Sequence, residues 1–195
     1  MAKKYLVIAF VAMVLLQLLF PLKMILDREI ILEKGHTFLF KIRPIDPYDA
    51  FRGRYVTINY EEDRVMLPFS MHRKDNISEI YITLTADSLG RVVFKDITET
   101  KPTSTDIYMK VPVTYVTDDG EALIEIQDNR YYMNENKAPI AERIVKEGYA
   151  QVVVYKGKTI LKGILIEGIP IEKYIDLDKS SLQETNNFEL EVFDE

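Results

Sequence analysis

An uncharged, apolar run near the N-terminus constrains this chain more than any other feature. Residues 5–22 read YLVIAFVAMVLLQLLFPL, with Gln17 as the one polar interruption, and Lys3 and Lys4 precede the run. At ~1.5 Å per helical residue, these eighteen residues span roughly 27 Å, close to the ~30 Å apolar thickness of a bilayer. The run therefore predicts an N-terminal transmembrane anchor, which we place at residues 1–26.

Two other interpretations of the run fit less well. A cleaved signal peptide has an apolar core of about 7–15 residues and then a small-x-small cleavage site, whereas the run ends in FPLKMILD. A helix buried in a soluble core would show an amphipathic period, which the run lacks. Because Lys3 and Lys4 precede the run and the charges after it are mixed in sign, we expect a single-pass protein of the cell membrane with a cytoplasmic N-terminus and an extracytoplasmic domain.

The charge of the remaining chain excludes one class of partner. Setting aside Lys3 and Lys4 leaves 23 basic and 31 acidic residues, a net charge of −8. Such a domain repels phosphate backbones, so we expect no nucleic-acid partner. The sequence contains no cysteine, which excludes a disulfide scaffold and a thiol nucleophile. The two histidines, His36 and His72, lack metal-ligand spacing, and we predict neither a metal nor a cofactor.

Residues 27–178 predict a mainly β domain, an antiparallel sandwich or a partly open barrel. Side chains alternate between apolar and polar through several segments, and short turn sequences separate these segments. The predicted strands cover residues 37–43, 54–60, 79–85, 91–97, 106–116, 122–127, 148–156 and 158–167. Pro112 indicates an edge strand or a bulge. A weaker helical pattern continues from the anchor to Glu33, and the polar, acidic residues 179–195 predict a flexible tail.

One short α-helix is predicted inside the β domain, near residues 138–147. Asn134 or Asn136 is positioned to cap it, and Pro139 falls in its first turn. Gly148 would close it in the left-handed conformation.

The densest chemistry lies in residues 43–60, RPIDPYDAFRGRYVTINY. Asp46 stands between two prolines, which makes a rigid, extended corner. Asp49 can hydrogen-bond the backbone two residues on. Tyr55 and Tyr60 are five residues apart on the predicted strand, so they face opposite sides of it.

The end of this block resembles the signature of the GDYXXLXY family, Gly-Asp-Tyr-x-x-Leu-x-Tyr. Gly53, Tyr55 and Tyr60 match it, and Ile58 replaces the leucine. Arg54 stands where the signature has an acidic residue, which leaves any role of that carboxylate open in this chain.

Two further stretches look like the family and occur in the same order. The Asp-Pro and Arg-Gly pairs precede the signature, and RYYMNE at residues 130–135 looks like the family's Arg-Tyr-Phe-x-x-Glu. The resemblance implies a membrane-anchored bacterial protein with no assigned reaction, of a kind often regarded as a companion of multi-pass membrane proteins.

Charged and aromatic side chains around these motifs form the candidate site. If the two stretches meet, arginine forks can pair with carboxylates, either in a network that fixes the loop or in a binding patch. Tyrosine and arginine are common in interface hot spots, although tyrosines on strands also pack in cores. The candidate binding residues are Asp46, Asp49, Arg52, Arg54, Tyr55, Tyr60, Arg130, Tyr132 and Glu135.

The sequence therefore predicts a non-enzymatic domain of the bacterial envelope that binds another envelope component, and the resemblance points to a multi-pass membrane protein. The alternative is an envelope hydrolase, a peptidase or glycosidase, that uses Ser70 with a lysine (Lys74 or Lys95) or an Asp/Glu pair. An enzyme should show a cleft where such groups converge. A binding module should show its tyrosines and arginines on a flat face or a sheet edge.

Overall fold

The computed structural model describes residues 2–43, 55–71, 77–145 and 148–177. A long N-terminal helix precedes a strand-rich domain, as the sequence predicts. The elements are α1 (Ala2–Lys34), β1 (His36–Arg43), β2 (Tyr55–Thr57), β3 (Asn59–Tyr60), β4 (Arg64–Met66), β5 (Glu79–Ala86), β6 (Val92–Thr98), β7 (Tyr108–Val116), β8 (Glu121–Ile124), β9 (Arg130–Tyr132), α2 (Ala138–Ile144), β10 (Tyr149–Tyr155), β11 (Lys158–Ile166) and β12 (Ile169–Pro170). Residues 171–177 are also helical, which the sequence pattern did not predict.

The described strands form two five-stranded antiparallel sheets and one two-stranded ladder. The first sheet has the order β12-β11-β10-β1-β3, the second has the order β4-β8-β7-β5-β6, and β2 pairs with β9. Hydrogen bonds from the Leu39 N–H to the Gly90 carbonyl (3.0 Å) and from the Lys110 N–H to the Gly157 carbonyl (3.1 Å) connect the two large sheets. The resulting half-barrel agrees with the predicted antiparallel, partly open architecture.

The core lies between the two large sheets and is filled by every second residue of their strands. Phe38, Phe40 and Ile42 of β1 are buried, as are Ile80 and Ile82 of β5, and all five belong to one apolar cluster. Side chains on a strand alternate between its faces, so the period-two pattern predicted these inward positions. Each fully buried side chain of this kind contributes about 1.5–3 kcal/mol.

The long helix passes into the first sheet through a single residue, Gly35. The Gly35 N–H donates a hydrogen bond to the Ile31 carbonyl (2.9 Å). The Ile31 side chain is buried against Val153 and Ile160 on the outer face of β10 and β11. The C-terminal end of the helix is therefore packed onto the sheet, and Gly35 is the single residue that joins the two.

The predicted asparagine cap of α2 is wrong. Lys137 precedes the helix and makes no side-chain capping bond. The Asn134 side chain instead accepts a hydrogen bond from the Asn136 N–H (2.9 Å), so it closes its own turn. The proline at the start of the helix is confirmed.

Two other local predictions also need correction. Gly148 does not adopt a left-handed conformation. A Cβ there would lie 2.7 Å from the Ile166 side chain, so close packing rather than φ accounts for the glycine. Pro112 does not lie on an edge strand, because β7 is flanked by β8 and β5. The β-bulge between Val113 and Tyr115 confirms the alternative, that this proline indicates a bulge.

Candidate functional site

The two motif stretches meet in the β2–β9 ladder. The antiparallel register pairs Tyr55 with Tyr132, Val56 with Tyr131, and Thr57 with Arg130. Val56 is fully buried and Tyr131 packs against the core, whereas Arg130 and Tyr132 are exposed. The ladder therefore has an apolar inner side and an aromatic, cationic outer side.

Four residues lie on this outer side: Tyr55, Thr57, Arg130 and Tyr132. We call three of their side chains, those of Tyr55, Arg130 and Tyr132, the tyrosine–arginine face. The two tyrosine rings lie 5.6 Å apart between centroids and are tilted by 53°. The Arg130 guanidinium carbon lies 5.2 Å from the centre of the Tyr55 ring, within the range of a cation–π contact. Tyr132 is 67% exposed, so much of its ring is available for contact with another molecule.

The segment that leads into β9 is held from beneath at Asp128. The buried Tyr60 hydroxyl donates a hydrogen bond to the Asp128 carbonyl, and Thr159 Oγ1 donates to Asp128 Oδ2 (2.5 Å). The Ile58 N–H donates to the Asn129 carbonyl (2.9 Å). Burial and then the nearby Asp128 charge raise the pKa of Tyr60, so its hydroxyl stays a neutral donor. Tyr60 thus supports the face and is not on its surface.

A second support lies under Tyr131. Its hydroxyl donates a hydrogen bond to the Glu172 carboxylate, which joins β9 to the helical residues 171–177. Burial, followed by this bond to Glu172, raises the pKa of Tyr131. Lys137 Nζ donates to the Glu172 carbonyl (3.3 Å) and pairs with Asp176 (2.6 Å). The backbone that carries Arg130 and Tyr132 is consequently held just before β9, at Asp128, and at the centre of β9, at Tyr131.

A cleft lies between the tyrosine–arginine face and the end of α1. Arg28 of the helix lines this cleft together with Arg130 and Tyr132. Arg28 follows Leu22, the last residue of the apolar run, by six residues, or ~9 Å along a helix axis. Near this point Lys158 Nζ lies 3.4 Å from Asp27 Oδ2 and holds the helix to β11. The face therefore lies beside the segment of α1 that follows its apolar run.

A family model described as GDYXXLXY protein matches residues 17–164 of the chain. The chain belongs to the GDYXXLXY protein family. Comparison with curated proteins and with solved structures found no match.

The described signature positions of this GDYXXLXY protein serve two purposes. Tyr55 contributes to the tyrosine–arginine face, while Ile58 and Tyr60 are buried in the core. The signature breaks its strand at Ile58, because β2 pairs with β9 and β3 pairs with β1. The signature residues thus link the face to the first sheet.

The structure does not place the other predicted site residues on the tyrosine–arginine face. The positions Asp46, Asp49, Arg52 and Arg54 lie outside the described residues. Glu135 is exposed after β9 and lines a shallow cleft with Tyr132. Ser70 and Lys95 of the hydrolase alternative are exposed, and Lys74 lies outside the described residues.

Sequence reasoning missed two residues that define the site, Arg28 and Asp128. Arg28 carries a usable signal, since a cation soon after an apolar run indicates a position near the membrane surface. Asp128 carries none, because its partners Tyr60 and Thr159 are distant in sequence.

Proposed function

We propose that this GDYXXLXY protein is a non-enzymatic, membrane-anchored domain that binds a multi-pass membrane protein through its tyrosine–arginine face. The observation that carries the proposal is the position of the face. Arg130 and Tyr132 share a cleft with Arg28, which follows the apolar part of α1 by only six residues. A partner embedded in the same membrane reaches this side of the domain with short loops.

The exposure of α1 supports the anchoring part of the proposal. Leu6 is 72% exposed and Phe20 is 73% exposed, and the helix is apolar and long enough to cross a bilayer. An apolar helical surface of this size is unfavourable in water and favourable in lipid.

The composition of the face supports the binding part. Tyrosine and arginine are enriched among the residues that dominate binding energy at interfaces. Tyr55 already positions Arg130 through the cation–π contact, and β9 is fixed from beneath by Tyr60 and Tyr131. A face that is ordered before binding loses less conformational entropy when a partner arrives.

The orientation that we propose puts the N-terminus in the cytoplasm and the β domain outside. Lys3 and Lys4 before the apolar run support it. Protease added to spheroplasts with intact inner membranes should digest the β domain and spare an N-terminal tag. Digestion of the tag alone would reverse the topology.

Photocrosslinking in intact membranes tests the binding face. A photoreactive phenylalanine analogue at Tyr132 should form an adduct with an integral membrane protein, identified by mass spectrometry. Leu89 is the matched control position, because it is 66% exposed and lies on the β5–β6 turn. We expect no adduct from Leu89. Equal adducts from both positions, or none from Tyr132, would exclude this face as the binding site.

The substitution Arg130→Ala provides the second test. It removes the cation that stacks on Tyr55, and truncation of a central interface arginine lowers affinity by about tenfold or more. We therefore expect a clear fall in the yield of the Tyr132 adduct while the protein remains folded. An unchanged yield of the adduct would show that Arg130 does not contribute to binding.

A further inference from the structure

The cleft between the tyrosine–arginine face and α1 contains charges of both signs that are not paired. Its volume is about 460 Å³, within the range of small-ligand sites (~300–1,000 Å³). We call it the arginine cleft, and its lining includes Arg28, Glu125, Arg130 and Tyr132. Arg28, Glu125 and Arg130 are exposed, and none of the three forms an ion pair with a residue that the structure describes.

This lack of pairing distinguishes the cleft from other charged parts of the β domain. Three arginines of that domain each pair with a carboxylate, namely Arg43, Arg64 and Arg91. The second carboxylate that lines the cleft, Asp128, already accepts a hydrogen bond from Thr159 (2.5 Å). Opposite charges that line one cleft without pairing can both be satisfied by a ligand that itself carries both signs.

If α1 spans the membrane as proposed above, the cleft lies at the level of the phospholipid headgroups. A hydrocarbon core of ~30 Å that begins at Tyr5 takes about twenty helical residues and ends near Met24. Arg28 lies four residues further, or ~6 Å along the axis, and the headgroup layer is roughly 5–8 Å thick on each side of the bilayer. The exposed ring of Tyr132 suits this depth, because tyrosine is enriched at membrane–water interfaces.

We infer that the arginine cleft binds the phosphoethanolamine headgroup of a membrane phospholipid, with the phosphate held by Arg28 and Arg130 and the ammonium held by Glu125. The inference rests on the membrane anchoring proposed above and adds a lipid ligand to the proposed function. Guanidinium N–H groups form charge-assisted hydrogen bonds with phosphate oxygens, and an ammonium donates to a carboxylate in the same way. A guanidinium has five N–H donors, so the cation–π contact with Tyr55 leaves donors of Arg130 available for the phosphate.

A zwitterionic headgroup with N–H donors fits this protein better than the other common headgroups. Residues beyond Lys4 carry a net charge of −8, which opposes the approach of an anionic lipid. An anionic headgroup would also place a phosphate beside the Glu125 carboxylate without supplying a cation. A phosphocholine headgroup carries both charges, but its quaternary ammonium has no N–H to donate to Glu125.

Native mass spectrometry of the full chain measures lipid binding directly. The delipidated protein in detergent is titrated with phosphatidylethanolamine, phosphatidylcholine and phosphatidylglycerol that carry identical acyl chains. We expect phosphatidylethanolamine to bind about three- to tenfold more tightly than either of the others, because it alone offers hydrogen-bonding groups of both charges. Equal binding of the three lipids, or tighter binding of phosphatidylglycerol, would overturn the inference. Displacement of the lipid by an equimolar amount of soluble phosphoethanolamine would overturn it as well, because the cleft would then prefer a ligand free of the membrane.

Two substitutions at exposed positions of the cleft then locate the bound lipid in a protein that stays folded. Arg28→Gln removes one phosphate contact and should weaken the binding of phosphatidylethanolamine by about three- to tenfold. Glu125→Ala removes the ammonium contact, so the ethanolamine and choline lipids should then bind equally. Lys95→Gln, which replaces an exposed cation on β6, is the matched control for Arg28→Gln and should bind as the wild type does. A preference for phosphatidylethanolamine that survives either cleft substitution would overturn the inference.

The failures of the two proposals are distinguishable, because Arg28 and Glu125 do not belong to the tyrosine–arginine face. If carbonate extraction releases the chain from membranes, the proposed anchoring fails and the headgroup site fails with it. If the chain stays in the membrane and Tyr132 forms its protein adduct, but no preference for phosphatidylethanolamine is found, only the headgroup site is wrong. Lipid binding that depends on Arg28, without a Tyr132 adduct, would support the headgroup site and refute the tyrosine–arginine face as a site for a protein partner.

Discussion

The junction between α1 and the first sheet leaves no room for a side chain at Gly35. A Cβ added there would lie 2.5 Å from the Ile31 carbonyl oxygen and 2.5 Å from Val153 Cγ1. Both distances are well below van der Waals contact. The carbonyl belongs to the helix backbone, so Gly35→Ala requires the helix to shift away from the sheet.

The expected destabilisation follows from that shift. Overpacking of a close contact costs about 1–3 kcal/mol. Two contacts as short as 2.5 Å put this cost in the upper part of the range. Replacing glycine with alanine returns about 0.4–1 kcal/mol through the unfolded chain, so a net loss of about 1–2 kcal/mol remains. For a chain of this length, that loss lowers the melting temperature by about 2–8 °C.

Thermal unfolding of the full chain in detergent measures this effect. Gly163→Ala is the matched control, because a Cβ there meets only the Gln151 side-chain oxygen at 3.4 Å. We expect the control to melt at or slightly above the wild-type temperature. Trypsin should also cleave faster at Lys34 in the Gly35 variant, since its helix end is displaced. If Gly35→Ala melts with the wild type, the helix is not held tightly against the sheet and the reasoning is wrong.

Two further substitutions probe buried polar groups. Burial raises the pKa of Glu62, and its Oε2 is buried without a partner among the described residues, so Glu62→Gln should increase stability at pH 7. The gain in stability should shrink as the pH falls toward the raised pKa of Glu62. Denaturant midpoints of both proteins between pH 4 and 7 measure it, and a difference between the two midpoints that stays constant over this range would contradict the prediction. Tyr60→Phe removes the bond to Asp128 and should cost about 1–2 kcal/mol, against less than about 0.5 kcal/mol for the exposed Tyr115→Phe. Because the folded-state pKa of Tyr60 is raised, the contribution of its hydroxyl to folding stability should persist below pH ~10 and decline above that pH. The Tyr60→Phe protein should lack this decline.

The sequence predicted the strands that are specified by local pattern. The alternation in residues 37–43 matches the buried positions of β1. The turn between β10 and β11 has positive φ at Lys156 (48°) and Gly157 (85°), as a two-residue hairpin requires. These elements were predictable because a strand period and a turn are encoded by neighbouring residues.

The contacts that build the candidate site were less predictable. The pairing of β2 with β9 joins residues more than 70 positions apart, and nothing near Tyr55 specifies that partner. The clusters of charge in the sequence also suggest an arginine–carboxylate network, whose members Asp46, Asp49, Arg52 and Arg54 lie outside the described residues. Among the described residues, Arg130 stacks on Tyr55, and the hydroxyls of Tyr60 and Tyr131 position the backbone. Hydroxyl partners depend on tertiary packing, which a residue pattern does not record.

The length of α1 beyond its apolar run has a mechanical consequence. The twelve residues Lys23–Lys34 extend the helix ~18 Å past the run before it meets the sheet. Transmembrane helices tilt by about 20° on average, and such a tilt moves the far end of an ~18 Å lever sideways by ~6 Å. If α1 spans the membrane as proposed above, tilting is one way in which the helix accommodates a change in bilayer thickness. A change in lipid composition then alters the distance between the exposed Tyr132 ring and any neighbour fixed in the membrane.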